Sequence, residues 1–132
     1  MKYFLLFLII SSFLFAYEIE ICKPIEKEGV YEIPVKIKAE EPYTALQFTL
    51  IYEKGLKYEG FEWGKITEGS LNALNDKIEN KIKGALASAK PLPSEGVLFY
   101  IRFRGKGEVN FTEFLVQDKP AKIKGEFNLK KK

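Results

Sequence analysis

The sequence predicts an all-β chain folded as an antiparallel β-sandwich of jelly-roll type with about nine strands. Three observations carry that prediction. Apolar and charged side chains alternate with period 2 in short segments, beginning with Tyr17-Glu18-Ile19-Glu20-Ile21. Turns bearing glycine or proline separate these segments at spacings of roughly 8 to 12 residues. No segment sustains a helical period over the roughly ten residues that a helix requires.

The elements follow in order. After the strand at 17–21, a Glu28-Gly29 turn leads to Val30-Tyr31-Glu32-Ile33-Pro34-Val35-Lys36-Ile37-Lys38, which repeats the alternation. Pro34 cannot donate a ladder hydrogen bond, so this strand is expected at an edge or at a bulge. Residues 44–52 place Leu46, Phe48, Leu50 and Tyr52 on one face and Ala45, Gln47, Thr49 and Ile51 on the other; the first set is assigned to the core. Gly55 interrupts and Leu56 to Trp63 restarts the pattern. Gly64, Gly69 and Ser70-Leu71-Asn72 read as loop or short strand, and 75–80 as a charged turn. Lys81 to Lys90 is a small-residue strand stopped by Pro91 and Pro93. The bulky run from Gly96 through Val97-Leu98-Phe99-Tyr100-Ile101-Arg102-Phe103 has high β propensity. The last strands are 98–103, 109–116 and 123–129, separated by Gly105-Lys106-Gly107 and Asp118-Lys119-Pro120. Leu46, Phe48, Leu50, Leu98, Tyr100, Phe103, Phe111 and Leu115 are the expected core, with Gln47, Thr49, Lys36 and Lys38 exposed.

The ends bound the class. Met1-Lys2, the apolar run from Tyr3 to Phe15 and the small Ala16 have the form of a secretory signal peptide. The run falls short of the ~20 residues that span a bilayer. Cleavage after Ala16 takes 16 of the 132 residues and leaves 17–132 as one domain of 116, enough for a single core. Ile19-Glu20-Ile21 before Cys22 excludes a lipoprotein anchor. Lys2 is the one charged residue removed, so the net charge falls from +3 to +2, which disfavours a nucleic-acid partner. Lys130-Lys131-Lys132 reads as a solvated tail. Cys22 is the sole cysteine, so no intramolecular disulfide forms, and it is expected to pack as a small hydrophobe. The absence of histidine, the two glutamines and the wealth of Lys, Glu and Ile resemble heat-adapted compositions.

Chemistry is thinly provided. Without histidine the commonest general base and metal ligand is missing, and one cysteine builds no zinc site. The carboxylate pairs Glu59 with Glu62 and Glu113 with Asp118 have the residue type for glycoside hydrolysis, yet they sit among lysines on what reads as a solvated sheet face. Asn72, Asn75, Asp76 and Asn80 form an oxygen-rich loop, but Lys77 and Lys81 interrupt it and no EF-hand run is present. Asn110-Phe111-Thr112 fits a glycosylation acceptor inside a strand. No enzyme, no cofactor and no metal site are expected.

Residues 81–88, Lys-Ile-Lys-Gly-Ala-Leu-Ala-Ser, followed after a short loop by Gly96-Val97-Leu98-Phe99-Tyr100-Ile101-Arg102-Phe103 and Gly107, carry a resemblance. They match the order K-I-x-x-A-L-A-S, loop, G-x-L-x-x-I-x-F-x-x-x-G of the cohesin family of secreted β-sandwich modules. Residues 45–64 add the strand, tight corner, Leu, strand passage of that family, with Tyr52-Glu53-Lys54 where cohesins usually carry Tyr-Asp-Pro. The resemblance spans about 18–129. It implies a non-catalytic adhesion module that receives a calcium-loaded dockerin module on a flat sheet face, in an extracellular assembly linked to polysaccharide degradation. The matching positions are Ala45, Gln47, Asn75, Lys77, Leu86 and Ala89; Ala45 and Gln47 stand where many cohesins have Asn and Asp.

An alternative arises from the rings. Tyr58, Phe61 and Trp63 lie close together, and aromatic faces stack on sugars, so a polysaccharide-binding module is the second reading. Gly60 is a candidate bulge that decides whether the three share a face. A structural subunit of a surface or secretion apparatus is a third. The expected protein is a secreted or periplasmic monomer without a membrane span once the signal is removed, binding a dockerin-like protein or a polysaccharide.

Overall fold

The computed structural model describes residues 15–129. The expected signal segment, apart from Phe15 and Ala16, and the basic tail at 130–132 lie outside them. Twelve strands and one short 3-10 turn, Lys65–Thr67, make up the regular structure among the described residues. No helix there is long and apolar enough to cross a membrane.

The strands form two sheets packed face to face. The first has the order β11 (Lys122–Lys124), β1 (Tyr17–Ile21), β3 (Val30–Ala39), β8 (Glu95–Gly105), β5 (Leu56–Trp63), with β2 (Ile25–Lys27) also on β3. The second has the order β10 (Lys119–Pro120), β9 (Glu108–Val116), β4 (Ala45–Tyr52), β7 (Lys81–Ala87), β6 (Leu71–Asn75), with β12 (Phe127–Asn128) also on β9. Every pairing is antiparallel except that of β1 with β11. From β3 onward the chain crosses repeatedly between the sheets, so each layer is built from strands distant in sequence.

Between the sheets lies one aromatic core. Phe48 of β4 and Phe99 of β8, both at most 1% exposed, stack at 4.7 Å and 20°. Phe114 stacks on Phe48 at 5.6 Å and Phe111 meets it edge-on at 5.8 Å. The ring of Phe48 lies over Gly84, where an added Cβ would come within 2.5 Å of it. A second pair, Tyr17 and Tyr43, closes one end, edge to face at 6.1 Å. Their hydroxyls donate to the Pro42 carbonyl at 3.1 Å and the Pro93 carbonyl at 2.7 Å.

Three bulges decide which residues enter this core. Opposite Val35 and Lys36, β8 carries Leu98 as an extra residue, so Phe99, Ile101 and Phe103 point inward and Tyr100 does not. Tyr100 is therefore half-buried on the outer face between Pro34 and Glu62, a correction to the expected core. Opposite Thr49 and Leu50, β9 carries Thr112 as an extra residue. The inward set changes from Val109 and Phe111 to Phe114 and Val116, which turns Leu115 outward, a second correction. Phe111 is half-buried but packed against the core. Leu46, Phe48, Leu50, Leu98 and Phe103 are buried as expected, and Gln47, Lys36 and Lys38 are exposed; Thr49 is half-buried between Lys83 and Glu113.

Pro34 is neither in an edge strand nor at the bulge itself. It lies in β3, inside the sheet, opposite the break between β1 and β2, where its carbonyl accepts from Cys22 N–H at 3.0 Å. A strand residue turns its nitrogen and its carbonyl to the same side, so the missing donor falls at that break and costs the ladder little. The expected strand at 123–129 is two strands in different sheets. Gly125, at φ +90°, turns the chain between β11 and β12, and a Cβ there would meet the Ile21 carbonyl at 2.5 Å.

Replacing Phe48 by Ala should cost about 3 to 5 kcal/mol, since its ring has partners from both sheets. Gly84→Ala should cost about 1 to 3 kcal/mol through overpacking against that ring. Urea unfolding of the two variants checks both, and a neutral Gly84→Ala would show that the ring can move aside.

Candidate functional site

The two outer faces of the sandwich differ in chemistry. On the first sheet, Glu18 and Glu20 of β1 stand between Lys38 and Lys36 of β3 and Lys122 and Lys124 of β11 in register. Arg102 bridges Glu32 at 2.9 Å and Glu62 at 2.8 Å, and Arg104 lies 3.8 Å from Glu59. Cross-strand opposite charges stabilise such a face modestly and leave it well solvated. The charges are spent on one another.

The second sheet's outer face is flat and poor in charge. Reading across β6, β7, β4 and β9, one row is Ala73, Ala85, Gln47 and Leu115, and the next towards β6's start is Leu71, Ala87 and Ala45. Leu71 is 81% exposed. In the other direction the rows become polar, with Asn75, Lys83, Thr49 and Glu113. Two shallow depressions of about 360 and 330 Å³ flank Gln47. The Gln47 amide donates to Glu113 at 3.3 Å, while the Gln117 oxygen accepts from the N–H groups of Thr44 at 2.8 Å and Ala45 at 2.9 Å, fixing the start of β4.

Of the residues that the resemblance pointed to, Ala45, Gln47 and Asn75 share this face. Lys77 is exposed in the turn after β6, where its N–H donates to Asn75 Oδ1 at 3.2 Å, and Ala89 is exposed in the loop after β7. Leu86 is a correction. It is 4% exposed and pairs with Leu46 in the core, because β7 turns Ile82, Gly84 and Leu86 inward and Ala85 and Ala87 outward. Ala73, Ala85, Leu71 and Leu115 complete the face. Strict alternation along 81–87 was signal enough for Ala85; Leu71 and Ala73 were hidden because Ser70-Leu71-Asn72 reads only as loop or short strand.

The three rings of the carbohydrate reading point inward. In β5 the extra residue at the bulge is Glu59, so Tyr58, Phe61 and Trp63 fall opposite Phe103, Ile101 and Phe99 on the inner side. Phe61 stacks on Phe99 at 4.9 Å, and Trp63 meets Phe61 edge-on at 5.0 Å. They are half-buried edges of the core and offer no open platform for a sugar. Tyr58 donates to Asp76 at 2.8 Å and so ties β5 to the turn after β6. The oxygen-rich loop is engaged the same way, with Asn80 Nδ2 donating to the Tyr52 carbonyl at 3.1 Å. Among the described residues no group of three or more carboxylate, histidine or cysteine side chains is arranged to hold a metal.

Comparison of this architecture with solved structures is decisive for the fold. A non-cellulosomal cohesin from the hyperthermophilic archaeon Archaeoglobus fulgidus superposes with a TM-score of 0.65, covering 82% of this chain and 84% of that one at 21% identity. The chain has the cohesin fold. A type III cohesin module from a cell-surface anchoring scaffoldin of Ruminococcus flavefaciens gives 0.66 over 81% and 76% at 14% identity. A type II cohesin from a cohesin-X-dockerin complex of Acetivibrio cellulolyticus gives 0.64 over 85% and 98% at 12% identity. In sequence, no family model and no curated protein matches the chain.

Burial and the Asp76 carboxylate push the Tyr58 phenol well above its ordinary value, and burial pushes Tyr43 up to about 12. A phenol raised in the folded state contributes stability that is complete below about pH 10, where unfolded tyrosine ionises, and is lost as pH rises through the folded value. Thermal melts at stepped pH should be level through pH 9 and fall between about 10 and 12. Absorbance titration of phenolate should show Tyr43→Phe removing the group near 12.

Proposed function

We propose that this chain is a non-catalytic adhesion module, exported across the membrane, that captures a dockerin-like protein on the outer face of its second sheet within an extracytoplasmic assembly linked to polysaccharide degradation. One observation carries the reading. The cohesin fold presents, on one of its two outer faces, a flat field of Ala45, Ala73, Ala85, Ala87 and Leu115 around Gln47. Short side chains let a helix lie close against a sheet, and a centre free of charge with Asn75, Lys83 and Glu113 at its margin matches the anatomy of a protein interface. The opposite face, whose charges pair across its own strands, offers no such field. The existence of a cohesin-X-dockerin complex around a protein of the same fold supports the partner class. Export rests on the segment 1–16 as read from the sequence.

Ala45 and Gln47 in place of the Asn and Asp of many cohesins shift recognition from hydrogen bonding towards apolar contact. A standard complex would bury about 800 Å² per partner. Purified dockerin modules encoded by the same genome, titrated calorimetrically, should bind the wild-type protein. The double variant Ala45→Arg with Ala85→Glu should bind at least tenfold more weakly while melting within a few degrees of wild type, because exposed substitutions rarely exceed about 0.5 kcal/mol. If no dockerin binds, or the folded variant binds as wild type does, the reading fails.

A further inference from the structure

β6 is where the second sheet ends, and it ends without the devices that close the other edges. β5 carries Lys57, Glu59 and Glu62 and a bulge. β11 is Lys122-Ile123-Lys124, β2 contains Glu26 and Lys27, and β10 and β12 are two residues long. Charge, bulges and shortness are how sheets avoid edge-to-edge pairing. β6 is Leu71-Asn72-Ala73-Leu74-Asn75, with no charge, no proline and no irregularity in its pairing with β7. Leu71, 81% exposed, stands at its start.

We propose that β6 pairs antiparallel with β6 of a second copy, extending the second sheet across a two-fold axis. Charge favours this occupant. The strand brought against itself meets no like charge, whereas self-pairing of β11 about Ile123 would set Lys122 against the partner's Lys124. The register favours it too. Leu71, Ala73 and Asn75 lie on the outer face and Asn72 and Leu74 on the inner. Antiparallel partners must match faces, and the register centred on Ala73 does so along the whole strand. It places Leu71 opposite the partner's Asn75, Asn72 opposite the partner's Leu74, and Ala73 opposite itself, which is an isologous contact. Strand edges joined in this way are held by main-chain hydrogen bonds. A pair this short buries less than the ~800 Å² per partner of a standard interface, so the dimer is reversible and forms with rising concentration.

Sedimentation of the purified protein should show monomer near 10 µM passing to dimer towards about 1 mM. Ala73→Lys sets two ammonium groups against each other on the axis and should remain monomeric at the same concentrations with an unchanged melting temperature. In a Cys22→Ala background, Ala73→Cys should yield a disulfide-linked dimer on air oxidation, and Ala85→Cys, equally exposed but inside the sheet, should not. Directly opposed residues of an antiparallel pair are close enough to bridge. The monomer that the sequence suggested, persisting through 1 mM, overturns the proposal. So does a dimer indifferent to Ala73→Lys, or cross-linking at position 85 as rapid as at 73. None of these readings depends on whether a dockerin binds.

Discussion

Phe48 stacked on Phe99 is the contact around which the sandwich is organised. β4 lies between β9 and β7 in its sheet, and β8 lies between β3 and β5 in the other, so the pair joins the inner strands of the two layers. Stacked sheets sit about 10 Å apart, a gap that facing side chains must fill to crystal-like density. Rings from β5 and β9 complete the filling, and Gly84 makes room for it on the neighbouring strand. Once Phe48 is inward, the pleat fixes the rest of β4. Gln47 and Thr49 must face out, because a slip of one residue would send the whole apolar set to solvent. The flat outer face of the second sheet is in this sense a consequence of the core.

The bulges show how the same chain departs from simple alternation without losing its inside. Each inserts one residue and reverses parity along one strand. In β9 this brings Phe114 inward beside Phe111 and releases Leu115 to the outer face beside Gln47. In β5 it keeps Tyr58, Phe61 and Trp63 on one side despite the two residues that separate Tyr58 from Phe61. One kind of irregularity thus adds an apolar residue to the candidate binding face and withdraws three rings from the surface.

The fold was largely legible in the sequence. Period-2 alternation located β1, β3 and β4 closely, since strands with one dry face announce themselves, and small residues stopped by Pro91 and Pro93 located β7. The site was legible only in part. Ala45, Gln47 and Asn75 do lie together on one outer face, but Leu86 does not join them, because the inward parity of β7 follows from its pairing with Phe48 and Leu46 across the sheet. β6 was left open between loop and short strand because Leu71-Asn72-Ala73-Leu74-Asn75 has neither β-branched residues nor charge alternation; its partner strand, not its own propensity, makes it a strand. Tyr100 and Leu115 were misassigned for a related reason. A bulge is a property of two strands in register, and neither Leu98 nor Thr112 marks itself as extra when one strand is read alone.

β7 shows how tightly core and surface are coupled. Its inward residues, Ile82, Gly84 and Leu86, give a small gap between two aliphatic side chains, into which the ring of Phe48 fits. Its outward residues, Lys83, Ala85 and Ala87, pass from charged to flat along the same few residues. Substitution on either side is constrained differently. An enlarged Gly84 meets a ring held by five other aromatic side chains, whereas an enlarged Ala85 meets only solvent or a partner. Small residues at 84 and 85 therefore have separate causes, close packing for one and access for the other. Only the second is open to change without loss of the fold, and so it is at Ala85 and its neighbours across the sheet that the outer face is free to vary.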